Sequence, residues 1–150
     1  SCYMVSSSEQ YMNGSKVIED GNIYCIDENF NCSKLDMPSD KILEFKLTNE
    51  YFYYTVYDPI DYGTAPIGIP CVLENGNKIY RVSRDDTSEG ELILDGHEKL
   101  YFDDYNVTGN YLYVYYIKFM QDEDYAWFRI TGITARIDME NDTIKWLNLN

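Results

Sequence analysis

The sequence predicts an all-β protein of antiparallel four-stranded, blade-like repeats, a partial β-propeller, with a β-sandwich-like stack as the alternative. Three observations predict it. A strand–turn–strand motif recurs three times, an aromatic strand recurs twice between its copies, and the composition favours strands over helices. Tyrosine contributes 16 residues against 6 Phe and 2 Trp. Its ring packs on a pleated surface while its hydroxyl reaches water.

The first motif is Asn22-Ile23-Tyr24-Cys25-Ile26-Asp27, followed by a polar turn and Ser33-Lys34-Leu35. The second is Lys78-Ile79-Tyr80-Arg81-Val82-Ser83, followed by Arg84 to Ser88 and then Leu92. The third is Ile133-Thr134-Ala135-Arg136-Ile137-Asp138, with a turn at Glu140-Asn141-Asp142 and a strand over Ile144-Lys145-Trp146-Leu147. Aligning Ile23, Ile79 and Thr134 gives steps of 56 and 55 residues. A fixed step of this size marks a supersecondary unit copied along the chain.

The aromatic strand occurs as Leu47-Thr48-Asn49-Glu50-Tyr51-Phe52-Tyr53-Tyr54 and again as Val107-Thr108-Gly109-Asn110-Tyr111-Leu112-Tyr113-Val114, a step of 60 residues. Each copy ends one strand, turns through three polar residues and starts another. The strands before them cover Ile42 to Lys46 and Leu100 to Tyr105. Residues 42–94 and 99–149 then form full units, and 17–37 a half unit, within one repeat domain spanning 1–150. The segment from Asp58 to Cys71 carries Pro59, Gly63, Pro66, Gly68 and Pro70, which argues for an irregular loop. Gln121 to Tyr125 is the second long loop.

A chain of 150 residues buries a real core, and 45% hydrophobic residues exclude disorder. The formal charge of −14 repels nucleic acid and anionic membranes. No stretch reaches the ~20 apolar residues of a membrane-spanning helix, so membrane insertion is not expected. The acidity reads first as a solvated surface.

Cys25 and Cys32 flank Asp27-Glu28-Asn29-Phe30. A four-residue turn there sets the two cysteines opposite each other, where a cross-strand disulfide can form, with ordinary thiols as the other reading. The spacings of Cys2, Cys25, Cys32 and Cys71 are not zinc-like, since there is no CxxC and His97 is the only histidine, so no metal or other cofactor is expected. Asp122-Glu123-Asp124 and Asp103-Asp104 are the densest carboxylate clusters, and neither has EF-hand spacing. His97 has no nucleophile motif beside it, so the sequence predicts no enzyme. Asn13, Asn31, Asn106 and Asn141 open glycosylation tripeptides, which matter only in a eukaryotic secretory setting.

The strand Tyr51-Phe52-Tyr53-Tyr54 followed by Gly76-Asn77-Lys78-Ile79-Tyr80-Arg81-Val82-Ser83-Arg84-Asp85 resembles blades of bacterial propeller domains related to the YWTD propellers of the low-density lipoprotein receptor. Weaker copies are Gly21 to Asp27 and Thr134 to Asp138, so the resemblance covers residues 17–149. No Tyr-Trp-Thr-Asp quartet is present, and a ring of 4 to 8 blades needs more chain than this. The resemblance implies an extracellular or surface-associated interaction module.

The functional expectation is therefore a non-enzymatic binding module for a protein or glycan ligand. Tyr57, Tyr62, Tyr125 and Trp127, in or beside the long loops, are the candidate binding residues. Alternatives are a structural segment of a larger propeller or homo-oligomer, self-associating through open sheet edges, and a carbohydrate-binding or carbohydrate-active domain.

Overall fold

The computed structural model describes residues 1–12, 15–64, 70–96, 100–120 and 128–147. Among them the chain forms strands and no helix. The strands are β1 (Cys2–Met12), β2 (Ser15–Ile26), β3 (Cys32–Lys34), β4 (Ile42–Leu47), β5 (Tyr51–Val56), β6 (Ile60–Thr64), β7 (Pro70–Leu73), β8 (Lys78–Ser83), β9 (Glu91–Asp95), β10 (Leu100–Thr108), β11 (Tyr111–Met120), β12 (Phe128–Asp138) and β13 (Thr143–Leu147). They assemble into sheets ordered β1-β2-β3, β4-β5-β8-β9, β10-β11-β12-β13 and β6-β7. Every extended pairing is antiparallel, as expected of strands joined by short turns.

The chain divides into two compact units. One holds Ser1–Ile60 with Leu73–Leu94, the other Asp61–Val72 with Asp95–Asn150. Each unit contains one four-stranded sheet, and the two sheets repeat each other in register. Phe52 faces Val82 across β5 and β8, and Leu112 faces Ile137 across β11 and β12. Ile42 faces Val56, and Phe102 faces Tyr116. Both sheets carry a bulge at the same place, with Leu43 and Asp103 as the extra residues. The turns match as well. The Arg84 amide donates to the Glu50 carbonyl and the Met139 amide to the Asn110 carbonyl, each at 2.9 Å. A bulge increases local twist, so the shared bulge gives both first strands the same bend.

In the first unit the β1-β2-β3 sheet lies against one face of the β4-β5-β8-β9 sheet. Ile23, Ile42, Phe52, Tyr54 and Val82 form the buried cluster, with Tyr3, Val5, Leu35, Met37, Phe45, Val56 and Tyr80 packed around it. Period-two alternation explains the selection, since Phe52, Tyr54 and Val56 share one face of β5. Full burial of such side chains contributes roughly 1.5–3 kcal/mol each before entropy is subtracted. Tyr3 meets Phe52 edge to face with ring centroids 5.2 Å apart. The contact also needs Gly21. Its amide donates to the Asp40 carbonyl at 2.6 Å, and a Cβ there would run into the backbone of Ile42.

The structure departs from the sequence reading at three points. Residues before the half unit at 17–37 contribute β1, whose pairing with β2 runs from Cys2 opposite Ile26 to Met12 opposite Ser15. The stretch read as an irregular loop from Asp58 to Cys71 contains β6 and the start of its partner β7. Pro70 opens β7, a position where a missing amide costs no ladder bond. The third departure is the register around Cys25 and Cys32. Cys25 faces Ser33 and Cys32 faces Ile26, so the two cysteines point to opposite faces. Both thiols are free. The turn is one residue longer than expected because Phe30 takes a left-handed conformation at φ 63°. Asp27 compensates by accepting the Asn29 amide at 2.8 Å, the Asn31 amide at 2.9 Å and the Asn31 side-chain amide at 2.9 Å.

Candidate functional site

Of the four sequence-predicted binding residues, only Tyr57 has a described side chain. Tyr57 is half-buried, and its amide donates to the Lys41 carbonyl at 2.8 Å. Tyr62 lies in β6, but its side chain is outside the described residues, as are Tyr125, Trp127 and His97 altogether.

A different surface stands out, and the repeat locates it. Tyr53 and Thr55 sit on the face of β5 opposite Phe52 and Tyr54, and each is 1% exposed. The same positions on β11 hold Tyr113 and Tyr115, which are half-buried. A face that is closed in one four-stranded sheet is thus partly open in the other.

Three strands build this open face. β10 brings Asp104 and Asn106, which stand opposite Tyr115 and Tyr113. β12 brings Thr134 opposite Tyr115 and Arg136 opposite Tyr113. Residues two apart share a face, so Asp104, Asn106, Tyr113 and Tyr115 project together with Thr134. A groove of about 190 Å³ runs among Asp104, Tyr105, Asn106, Tyr113, Tyr115 and Thr134. The opposite face of the same strands carries Leu112, Val114, Tyr116, Ala135 and Ile137, all buried. That burial anchors the sheet and leaves the groove face for other contacts.

Local interactions fix the groove walls. The Tyr105 amide donates to Asp104 Oδ1 at 2.8 Å, which ties down one carboxylate oxygen. Gly132 lets the Tyr115 phenol lie along β12, because a Cβ at Gly132 would collide with that ring. At one end, the Arg136 guanidinium carbon lies 4.6 Å from the centre of the Tyr111 ring, a cation–π contact. Tyr111 itself is 37% exposed. The result is a shallow surface with planar rings, a carboxylate, an amide and a hydroxyl.

Among the described residues, no group of three His, Cys, Asp or Glu side chains could hold a metal ion. The exposed aspartates with lowered pKa are turn residues. Asp27 is held down by the Asn31 side chain and by backbone amides, and Asp138 by the Asn141 side chain and backbone amides. Asp86 is lowered in the same way by the Ser88 hydroxyl and amide. Each carboxylate is occupied in capping its own turn. No helix of the described residues is long and apolar enough to cross a membrane.

Comparisons with family models, with curated proteins and with solved structures give no match. The repeat correspondence inside the chain therefore carries the functional argument. It was also the signal available in sequence, because aligning Tyr53-Tyr54-Thr55 with Tyr113-Val114-Tyr115 already pairs the closed face with the open one.

Proposed function

We propose that this chain is a non-enzymatic interaction module of an exported or surface-associated protein, built from blade-like sheets. Its binding surface is the Asp104, Asn106, Tyr113, Tyr115 and Thr134 face of β10–β12. One observation carries the reading: positions closed on β5, at Tyr53 and Thr55, are partly open on β11, at Tyr113 and Tyr115. Tyrosine suits such a surface because it supplies a large rigid contact area with few rotors to freeze. The matched bulges and turn bonds of the two four-stranded sheets support the blade-like reading.

A second reading, carbohydrate binding at the same face, is favoured by the make-up of the groove. A volume of about 190 Å³ walled by Asp104, Asn106, Tyr113 and Tyr115 offers hydrogen-bonding groups beside aromatic rings, a combination that recognises sugar hydroxyls and the apolar face of a pyranose.

Protein and glycan arrays probed with the wild-type chain and with a Tyr113→Ser/Tyr115→Ser variant test the proposal. The expected result is at least one wild-type interaction that the variant loses, with no hydrolysis of any bound glycan. Interactions that all survive in the variant overturn the placement, and turnover of a glycan overturns the non-enzymatic reading.

A further inference from the structure

The contact between two sheets inside the first unit is a template for what covers the open face. There β1 lays Tyr3 and Val5 on the cluster that contains Phe52 and Tyr54. The Tyr3 and Phe52 rings meet at 5.2 Å, and the Arg84 guanidinium carbon lies 5.7 Å from the Tyr3 ring centre and 6.0 Å from that of Phe52.

Register shows which positions these are in the repeat. Ile26, Val82 and Ile137 each precede the residue that opens the turn, namely Asp27, Ser83 and Asp138. Their partners are Cys2, Phe52 and Leu112. Tyr3 therefore corresponds to Tyr53 and Tyr113, and Met4 to Tyr54 and Val114. The observed contact joins a face of the Tyr3 kind to a face of the Phe52-Tyr54 kind.

Among the described residues, one further face of each kind is exposed. Tyr113 stands on the first kind, on β11. Cys2 and Met4 stand on the second, on the side of β1 turned away from Tyr3 and Val5. Met4 is 46% exposed and Cys2 is exposed, beside half-buried Tyr24 and Ile26, which are their cross-strand partners.

We propose that a second copy of this chain covers the open face, with the Tyr113 face of one molecule packed on the Cys2-Met4 face of the next. The contact repeats between molecules the one seen between β1 and β5 within a molecule. It rests on the reading of the β10–β12 face as the binding surface and names the occupant. The two faces differ, so the association is head to tail. Two copies complete the association when each seats its Tyr113 face on the other's Cys2-Met4 face, which leaves no face of either kind uncovered. A Met thioether against a tyrosine ring is a favourable contact at such an interface. Like charge opposes the association, since each chain carries −14, so salt near physiological strength favours it over low salt.

Two experiments test this. The template places residue 113 of one molecule over Cys2 of the next, so Tyr113→Cys creates a thiol beside a native one. Diamide takes up the two hydrogens as the S–S bond forms. The expected product is a linked dimer that is absent when Cys2→Ser is added. No dimer, or an equal yield in both variants, overturns the proposal. In the second experiment Met4→Glu blocks one face and Tyr113→Glu the other. Each variant alone is expected to have the mass of one chain, and a mixture of the two to give a 1:1 dimer, because one intact face of each kind remains. Complementation also shows that both variants fold. Variants that alone keep the mass of the wild-type assembly, or a mixture that stays monomeric, overturn the proposal. A monomeric wild type whose foreign ligand is still lost on Tyr113→Ser/Tyr115→Ser overturns self-assembly alone and leaves the binding surface standing.

Discussion

The guanidinium carbon of Arg81 lies 4.4 Å from the centre of the Tyr51 ring. The same contact recurs between Arg136 and Tyr111 at 4.6 Å. Both pairs bridge the aromatic strand and its neighbour at the same register, with Tyr51 opposite Ser83 and Tyr111 opposite Asp138. Arg81 also donates to Glu91 at 2.8 Å. Replacing either arginine with Met removes the cation while keeping much of the side-chain volume. Each change is expected to cost about 1 kcal/mol, the Arg81 change more because it also loses the Glu91 pair, whose worth is reduced by solvent. Denaturant unfolding of Arg81→Met and Arg136→Met checks this, and an unchanged midpoint in both removes the stacked pair from the account.

Gly21→Ala tests the packing of the β1-β2-β3 sheet on β4. The added methyl meets the Ile42 backbone, which cannot rotate away as a side chain can. A loss of about 2–3 kcal/mol is expected, as for overpacked sites generally. A variant as stable as the wild type in a urea titration rules out this close approach.

Alkaline pH is expected to weaken the fold between about 10 and 12. Burial pushes the Tyr54 hydroxyl up to about 12, with nearby Tyr80 adding to the effect, and burial alone does the same for Tyr116. The neutral forms are favoured in the folded state, so this stability is fully present below the ordinary value of 10 and is lost as pH rises through the folded values. Tyr54→Phe/Tyr116→Phe should flatten the fall in melting temperature over that window. An unaltered slope contradicts the assignment.

Acid acts through the turn carboxylates with the opposite sign. Asp27 and Asp138 have folded pKa values below the ordinary 3.8. Their contribution is complete above 3.8 and is lost as pH falls through the depressed folded values. Asp27→Asn/Asp138→Asn keeps an acceptor oxygen but cannot be protonated in this range. Melting temperatures of the variant should fall less steeply below pH 4 than those of the wild type, and parallel curves refute the capping role.

Much of the fold was legible in the repeats. Ile79 to Ser83 and Thr134 to Asp138 became strands at matching register, and Tyr51 and Tyr111 opened the aromatic strands. What escaped was set by backbone geometry that residue type does not announce. Leu43 and Asp103 have nothing chemical in common, yet both are bulge residues. Phe30 at positive φ is a conformation that a bulky side chain rarely adopts, and the hydrogen bonds of Asp27 hold it there. That one residue shifted the register and parted Cys25 from Cys32. The candidate surface was missed for a further reason. Loops often carry function, which favours aromatics such as Tyr57 and Tyr62 in a sequence reading, whereas Tyr113 and Tyr115 lie mid-strand, where alternation reads as core.

The most direct measurement is the solution mass of the unaltered chain, by light scattering coupled to size exclusion, from about 1 µM to several hundred µM, as a transient interface requires. The head-to-tail contact predicts a mass that climbs from the 17.6 kDa of one chain toward twice that value, more readily at physiological than at low salt. A mass fixed at one chain throughout contradicts the head-to-tail contact between the Tyr113 and Met4 faces.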